Sequence, residues 1–144
     1  MLVSQILRIK GNVLYTTTPD AAVLSAVKVM AQHDIGSLVV MDRGRMAGIV
    51  TFAEVLHALA DRGGTVDALT IADITDRDPL TAKSSIDVME LRRIMLERHA
   101  RYVPVFDGGT LLGVVSFHDV AKAVLDEQSL ENQALKSYIS DSLA

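Results

Sequence analysis

The chain of 144 residues has no cysteine, no tryptophan and only three prolines. Without cysteine there is no disulfide scaffold, no thiol nucleophile and no cysteine-based zinc site, and the composition suits a reducing compartment. Three Phe and three Tyr supply little for the aromatic platforms on which proteins stack single-stranded nucleic acid. Basic charge is short as well. Fourteen Lys and Arg stand against 18 Asp and Glu, a formal net charge of −4, which is the wrong sign for a broad grip on nucleic acid. Apolar runs such as Leu38–Met41 fall far short of the ~20 residues that span a bilayer. Met1-Leu2-Val3-Ser4-Gln5 has neither the basic start nor the apolar run of a signal peptide. These absences predict a cytoplasmic globular protein with no nucleic-acid or membrane partner. The length allows one ordinary domain or two small halves sharing a core. Such a chain can bury about two-thirds of its surface without help from a metal or disulfide.

What the chain does contain is a copy of itself. Shifted by 65 positions, residues 13–58 lie on 78–123 without a gap, and 11 of the 46 pairs are identical. The identities include Val23/Val88, Met30/Met95, Asp42/Asp107, Gly44/Gly109, Gly48/Gly113, Phe52/Phe117 and Val55/Val120. Their number, the gapless register and the matched glycines argue for duplication. Two copies are too few for a solenoid, so a pseudo-symmetric pair packed face to face is expected.

Each copy reads as β-α-β-β-α, a mixed α/β (α+β) fold. Leu14–Thr17 is a short β run, and Thr18-Pro19-Asp20 suggests an N-cap with proline at the first helical position. Val23, Val27, Met30 and Ala31 recur at helical spacing, and Gly36 offers a left-handed stop near His33–Gly36. Strands are expected over Ser37–Met41 and Met46–Val50, joined by the turn Asp42-Arg43-Gly44-Arg45, and Phe52–Ala60 makes a second helix. In the second copy Ser84 is the expected cap of a helix through Val88, Leu91, Met95 and Leu96. Strands Tyr102–Phe106 and Leu111–Val115 and a helix Phe117–Leu125 follow. The resulting division is 1–61 for the first motif with its lead-in, 62–70 for a linker, 71–125 for the second motif and 126–144 for a tail. The tail carries Leu130, Leu135, Tyr138, Ile139 and Leu143 among polar residues and reads as an amphipathic helix that needs something to lie against.

Catalytic signatures are missing. His33, His57, His99 and His118 form no HExxH or HxxxH pair, no GxSxG elbow is present, and neither GxGxxG nor GxxxxGK[ST] occurs. No catalytic residues and no metal ligands are therefore assigned. One arrangement remains. Both copies end their last strand in Gly-aliphatic-aliphatic-hydroxyl-x-x-carboxylate and run into a helix: Gly48-Ile49-Val50-Thr51-Phe52-Ala53-Glu54 and Gly113-Val114-Val115-Ser116-Phe117-His118-Asp119. A hydroxyl three residues before a carboxylate is a capping box. A helix N-terminus beside a hydroxyl also suits a phosphate, and a carboxylate one turn in can accept both hydroxyls of a ribose. The two readings are compatible.

With these residues in place, the chain resembles a tandem pair of CBS domains, or Bateman module. The resemblance covers nearly all of residues 1–125. It rests on the duplicated β-α-β-β-α order, Thr16-Thr17-Thr18-Pro19 and Thr75–Thr81, Ile35–Asp42, Arg101–Asp107 and the two hydroxyl–carboxylate endings. Leu135–Ser140 resembles the tail of small stand-alone bacterial members. The resemblance implies a non-catalytic regulatory module that binds an adenosine ligand (AMP, ADP, ATP, NAD or S-adenosylmethionine) between the copies. It also implies a homodimer formed through helix faces and a regulated partner protein. It implies one site of Ser116, Phe117, His118 and Asp119 with Val13, Ile35, Gly36 and Ser37. A second would combine Thr51 and Glu54 with Arg101, Tyr102 and Val103, where Arg101 suits a phosphate. Glu54 stands where the family usually has Asp, so the Asp119 site is expected to bind more tightly. The alternative is a dimerisation module that binds no ligand.

Overall fold

The computed structural model describes residues 1–11 and 13–143, apart from the side chains of residues 142 and 143, so Leu143 of the tail pattern lies outside the described side chains. Among the described residues the first elements are α1 (Val3–Lys10), β1 (Thr16–Thr17), α2 (Val23–His33), β2 (Ser37–Asp42), β3 (Arg45–Thr51) and α3 (Phe52–Asp61). The order continues with α4 (Ile71–Ile74), β4 (Ala82–Lys83), α5 (Val88–Arg98), β5 (Tyr102–Asp107), β6 (Thr110–Ser116) and α6 (Phe117–Leu143). The mixed α/β architecture expected from the sequence is present.

Two three-stranded sheets repeat one topology. β1 runs parallel to β2, which pairs antiparallel with β3, and β4, β5 and β6 follow the same order. The 65-residue shift carries over into register. Ser37 faces Thr51 as Tyr102 faces Ser116, and the irregularity between Val40 and Met41 recurs between Val105 and Phe106. Asp42 pairs with Arg45 across a two-residue turn in which Arg43 (φ 52°) and Gly44 (φ 77°) both adopt positive φ. That geometry matches the right-handed twist of a hairpin.

The chain divides into two compact units, Val13–Leu80 and Met1–Asn12 together with Thr81–Ala144. This grouping differs from the contiguous division drawn from the sequence, because each lead-in packs with the repeat it does not precede. In α1, Val3, Ile6 and Leu7 share one face and are buried. Val3 N–H donates to the Ile86 carbonyl (3.0 Å), Ser4 N–H to that of Ser84 (3.0 Å), and Val88 N–H to that of Met1 (2.8 Å). In the other unit, Ile71 of α4 is fully buried in a core with Val23, Leu38, Val40 and Val50. Its N–H donates to the Ala21 carbonyl at 2.8 Å. Burying such an aliphatic side chain is worth about 1.5–3 kcal/mol, so these short lead-ins are held by their apolar faces more than by helix propensity.

The helix ends depart from the sequence reading for a related reason. α2 starts at Val23 after an extended Ala22, not at Pro19. The Pro19 carbonyl accepts Ala72 N–H (2.8 Å), Thr18 O accepts Ala21 N–H (3.2 Å), and Thr18 Oγ1 donates to Asp20 (2.8 Å). The Thr-Pro-Asp segment is thus a turn tied to α4. Ser84 is spent on the sheet through its N–H to the Phe106 carbonyl (2.8 Å). Asp87 caps α5 instead, accepting Met89 N–H at 2.9 Å. The left-handed stops fall on Asp34 (φ 51°) and His99 (φ 51°), two residues before the position of Gly36 in each repeat. The tail is helical, as expected, and continuous with the helix before it: α6 runs unbroken from Phe117 to Leu143, and no Gly or Pro follows Gly113 to stop it.

Gly48 and Gly113 are matched in sequence but not in surroundings. A Cβ on Gly48 would lie 2.2 Å from the Asp76 carbonyl oxygen and 2.6 Å from Thr75 Cγ2; on Gly113 it would meet only the flexible Leu7 Cδ2 at 3.1 Å. The first closeness comes from the backbone exchange between Ile49 and Asp76, N–H to carbonyl at 2.9 Å in both directions. Gly48→Ala is therefore expected to cost about 1–3 kcal/mol, as overpacking does. Gly113→Ala should stay within about 1 kcal/mol of zero, because alanine also restricts the unfolded chain. Urea unfolding of the two variants measures the difference.

Candidate functional site

The two hydroxyl–carboxylate endings sit at the N-termini of α3 and α6, each beside the start of the middle strand of its own sheet. Phe52 N–H donates to the Gly36 carbonyl at 3.2 Å, and Phe117 N–H to that of Arg101 at 2.8 Å. Each unit therefore gathers a cap and a strand entrance: Thr51 and Glu54 with Ile35, Gly36 and Ser37 in one, and Ser116 and Asp119 with Arg101 and Tyr102 in the other. Phe117 and His118 belong to the latter unit and Val13 to the former. Val103 is fully buried, so its side chain belongs to the core and can line no open surface. Val13 is 68 % exposed.

Both capping boxes are formed, and they differ in detail. At α3, Thr51 N–H and the Thr51 hydroxyl both donate to Glu54 Oε1, each at 2.9 Å, while Thr51 Oγ1 accepts Ala53 N–H at 3.2 Å. The longer Glu54 side chain thus consumes the threonine proton. At α6, Ser116 N–H donates to Asp119 Oδ2 at 2.9 Å, and Ser116 Oγ accepts Asp119 N–H at 3.0 Å. Serine there keeps its hydroxyl proton for another acceptor. Among the described residues Asp119 Oδ1 accepts no hydrogen bond, whereas Oδ2 accepts a second, from Lys10 Nζ at 2.8 Å.

Lys10 is the residue the sequence reading did not identify. It lies 109 positions before Asp119, and only the packing of α1 with the second repeat brings it there. The Asp119 side chain is 20 % exposed. Burial alone raises its carboxyl pKa, but the Lys10 ammonium and the Ser116 backbone and side-chain hydrogen bonds outweigh burial and hold it below the usual carboxylate range. The same neighbourhood reaches Tyr102. Burial raises its phenol pKa, nearby Arg101 opposes, and the Asp119 charge adds to the rise. The arrangement offers a fixed, ionised carboxylate with one open oxygen, a serine hydroxyl and a helix N-terminus, which together can receive a vicinal diol and a neighbouring anion.

The other sequence candidates have structural roles or none in this site. His33 contacts Tyr15, with Nδ1 3.3 Å from the phenol oxygen and ring centroids 4.6 Å apart. Among the described residues no group of three or more His, Cys, Asp or Glu could hold a metal ion. No helix among them is long and apolar enough to cross a membrane.

The lowered Asp119 carboxyl fixes the sign of a pH effect. A carboxylate whose native pKa lies below its unfolded value near 3.9 stabilises the fold above that value and loses the contribution as pH falls through the native pKa. Urea unfolding between about pH 5 and pH 3 should therefore show a steeper loss of stability in the unsubstituted chain than in Asp119→Asn. Equal slopes would mean that the Lys10 and Ser116 contacts do not favour the ionised form in solution.

Comparisons with known proteins identify the family and the fold. The CBS domain family matches the chain twice, over residues 8–61 and 71–126. The chain is 34 % identical over 134 residues to the mitochondrial CBS domain-containing protein CBSX3 of Arabidopsis thaliana, covering 90 % of this chain and 65 % of that protein's length. It superposes at TM-score 0.83 on a protein from Burkholderia ambifaria MC40-6 whose name gives it CBS domains and a candidate role in signal transduction. That match has 32 % identity and covers 89 % of this chain and 96 % of the other. The CBS domain pair of protein MJ0100, solved with 5′-methylthioadenosine and S-adenosyl-L-methionine, matches at TM-score 0.74 and 25 % identity over 88 % of this chain and 98 % of that one. With two matched motifs, a relative above 30 % identity and the same fold, the chain belongs to the CBS domain family.

Proposed function

We propose that the chain is a non-catalytic regulatory module that binds an adenosine ligand, AMP, ATP or NAD, and works as a cytoplasmic homodimer acting on a partner protein. The observation that carries this reading is the Asp119 carboxylate. It is ionised, four-fifths buried and fixed by Ser116 N–H, and among the described residues its Oδ1 accepts no hydrogen bond. A ribose diol donating to that carboxylate, with a phosphate near the Ser116 hydroxyl and the α6 N-terminus, uses every group present. The ligand-bound MJ0100 pair lends support from a relative of the same fold. A second, weaker site is centred on Thr51 and Glu54. Its weakness follows from the threonine proton already given to Glu54.

A second reading has its own observation. Leu24 and Leu56 in one unit, and Met89, Leu96 and Leu125 in the other, are helix residues between 44 % and 63 % exposed. They suit association through helix faces with no ligand involved.

Thermal unfolding separates the two. A ligand that binds only the native state adds about 2.7 kcal/mol at a hundredfold excess over Kd, which raises the Tm of a chain this size by several degrees. AMP, ATP or NAD at millimolar concentration is expected to give such a rise. Asp119→Ala should abolish most of it, and Glu54→Ala should leave most of it. A dimer whose Tm ignores all of these ligands would establish the second reading.

A further inference from the structure

The binding carboxylate already has an occupant. Lys10 Nζ donates to Asp119 Oδ2 at 2.8 Å and to the Val114 carbonyl at 3.1 Å. Val114 is the counterpart of Ile49, whose carbonyl accepts Asp76 backbone N–H at 2.9 Å. The two repeats thus complete the same strand edge differently, one with backbone and one with a lysine ammonium. A backbone bridge cannot leave without unfolding its segment. A lysine that is 42 % exposed, on a flexible four-carbon stem, can.

The acceptor positions of Asp119 decide whether it must leave. A carboxylate oxygen offers about two lone-pair sites. Ser116 N–H and Lys10 fill both on Oδ2, and both on Oδ1 are open. The Ser116 bond is local to the cap and stays. A ribose bound in the bidentate mode, one hydroxyl on each oxygen, takes the Oδ2 position that Lys10 holds, whereas one seated on Oδ1 alone leaves the lysine in place.

We infer that Lys10 is a displaceable internal cation that makes the Asp119 site select phosphate-bearing ligands over uncharged nucleosides. The inference rests on the adenosine-ligand reading. When a nucleotide enters, its ribose takes the carboxylate and the released ammonium pairs with its phosphate, so one ion pair replaces another. When an uncharged nucleoside enters, the ammonium goes to water and its ion pair is lost. The lysine therefore opposes nucleosides and is neutral or favourable toward nucleotides.

Lys10→Met keeps the chain length and removes the charge, and Lys10→Arg keeps the charge. Calorimetric titration with adenosine, 5′-methylthioadenosine, AMP and ATP should show the nucleosides binding Lys10→Met about two- to fivefold more tightly, the range of a partly exposed ion pair. AMP and ATP should bind it as tightly as the unsubstituted chain or more weakly, and Lys10→Arg should restore the original order. An equal change for all four ligands, or none, would overturn the inference while leaving the adenosine reading intact. No binding of any of the four to the unsubstituted chain would remove the adenosine reading and, with it, the selectivity. Carbon-detected NMR of the Asp119 carboxyl without ligand tests the contact itself. Its titration should move upward in Lys10→Met, and an unmoved titration would overturn the internal pairing whatever the ligands do.

Discussion

The outer strands β3 and β6 present backbone groups that must find partners, and in both units those partners come from a lead-in that precedes the other repeat. In one unit the Asp76 backbone answers Ile49 at 2.9 Å in both directions, with Ile71 buried alongside in the core. In the other, α1 buries Val3, Ile6 and Leu7, and Lys10 answers Val114 and Asp119. The exchange of lead-ins thus supplies partners to both outer strands and buries Val3, Ile6, Leu7 and Ile71, and that apolar burial holds it in place. It also furnishes the chemistry of the Asp119 site, because the cation on that carboxylate arrives with the borrowed helix.

This constraint explains why two repeats of one pattern give two unequal sites. Where the lead-in supplies backbone, the neighbouring Glu54 answers only its own cap, taking both the N–H and the hydroxyl proton of Thr51. Where the lead-in supplies a lysine, Asp119 is held ionised and Ser116 keeps its hydroxyl proton. The difference between Glu and Asp is therefore accompanied by a difference in what surrounds the carboxylate. Gly48 and Gly113 show the same divergence, one pressed against backbone and the other against a pliable leucine end.

Much of the fold is legible in the sequence, for a physical reason. Both faces of the strand pattern and the helical spacing of Val23, Met30, Val88 and Met95 are imposed by burial, and burial recurs every 65 residues. The paired strands, the hairpin turn at Arg43-Gly44 and the capping boxes at Thr51 and Ser116 follow from local chemistry and appear where the pattern places them. What is not legible depends on contacts between distant segments. Pro19 and Ser84 are good local start signals that lose to hydrogen bonds with Ala72 and Phe106. Lys10 carries no signature of its role, since nothing in its local sequence tells which repeat α1 will join. The continuity of α6 is a different case: the absence of Gly and Pro after Gly113 was itself the signal.

The central claim is that Asp119 anchors an adenosine ligand, and mass reads it most directly. Native mass spectrometry of the purified chain, with and without AMP, ATP and NAD, reports an adduct by its own mass and needs no assumption about which ligand is bound. The account predicts an adenosine-containing adduct on the unsubstituted chain that is lost from Asp119→Ala and kept by Glu54→Ala. An adduct that persists in Asp119→Ala, or no adduct with any of these ligands, would contradict it.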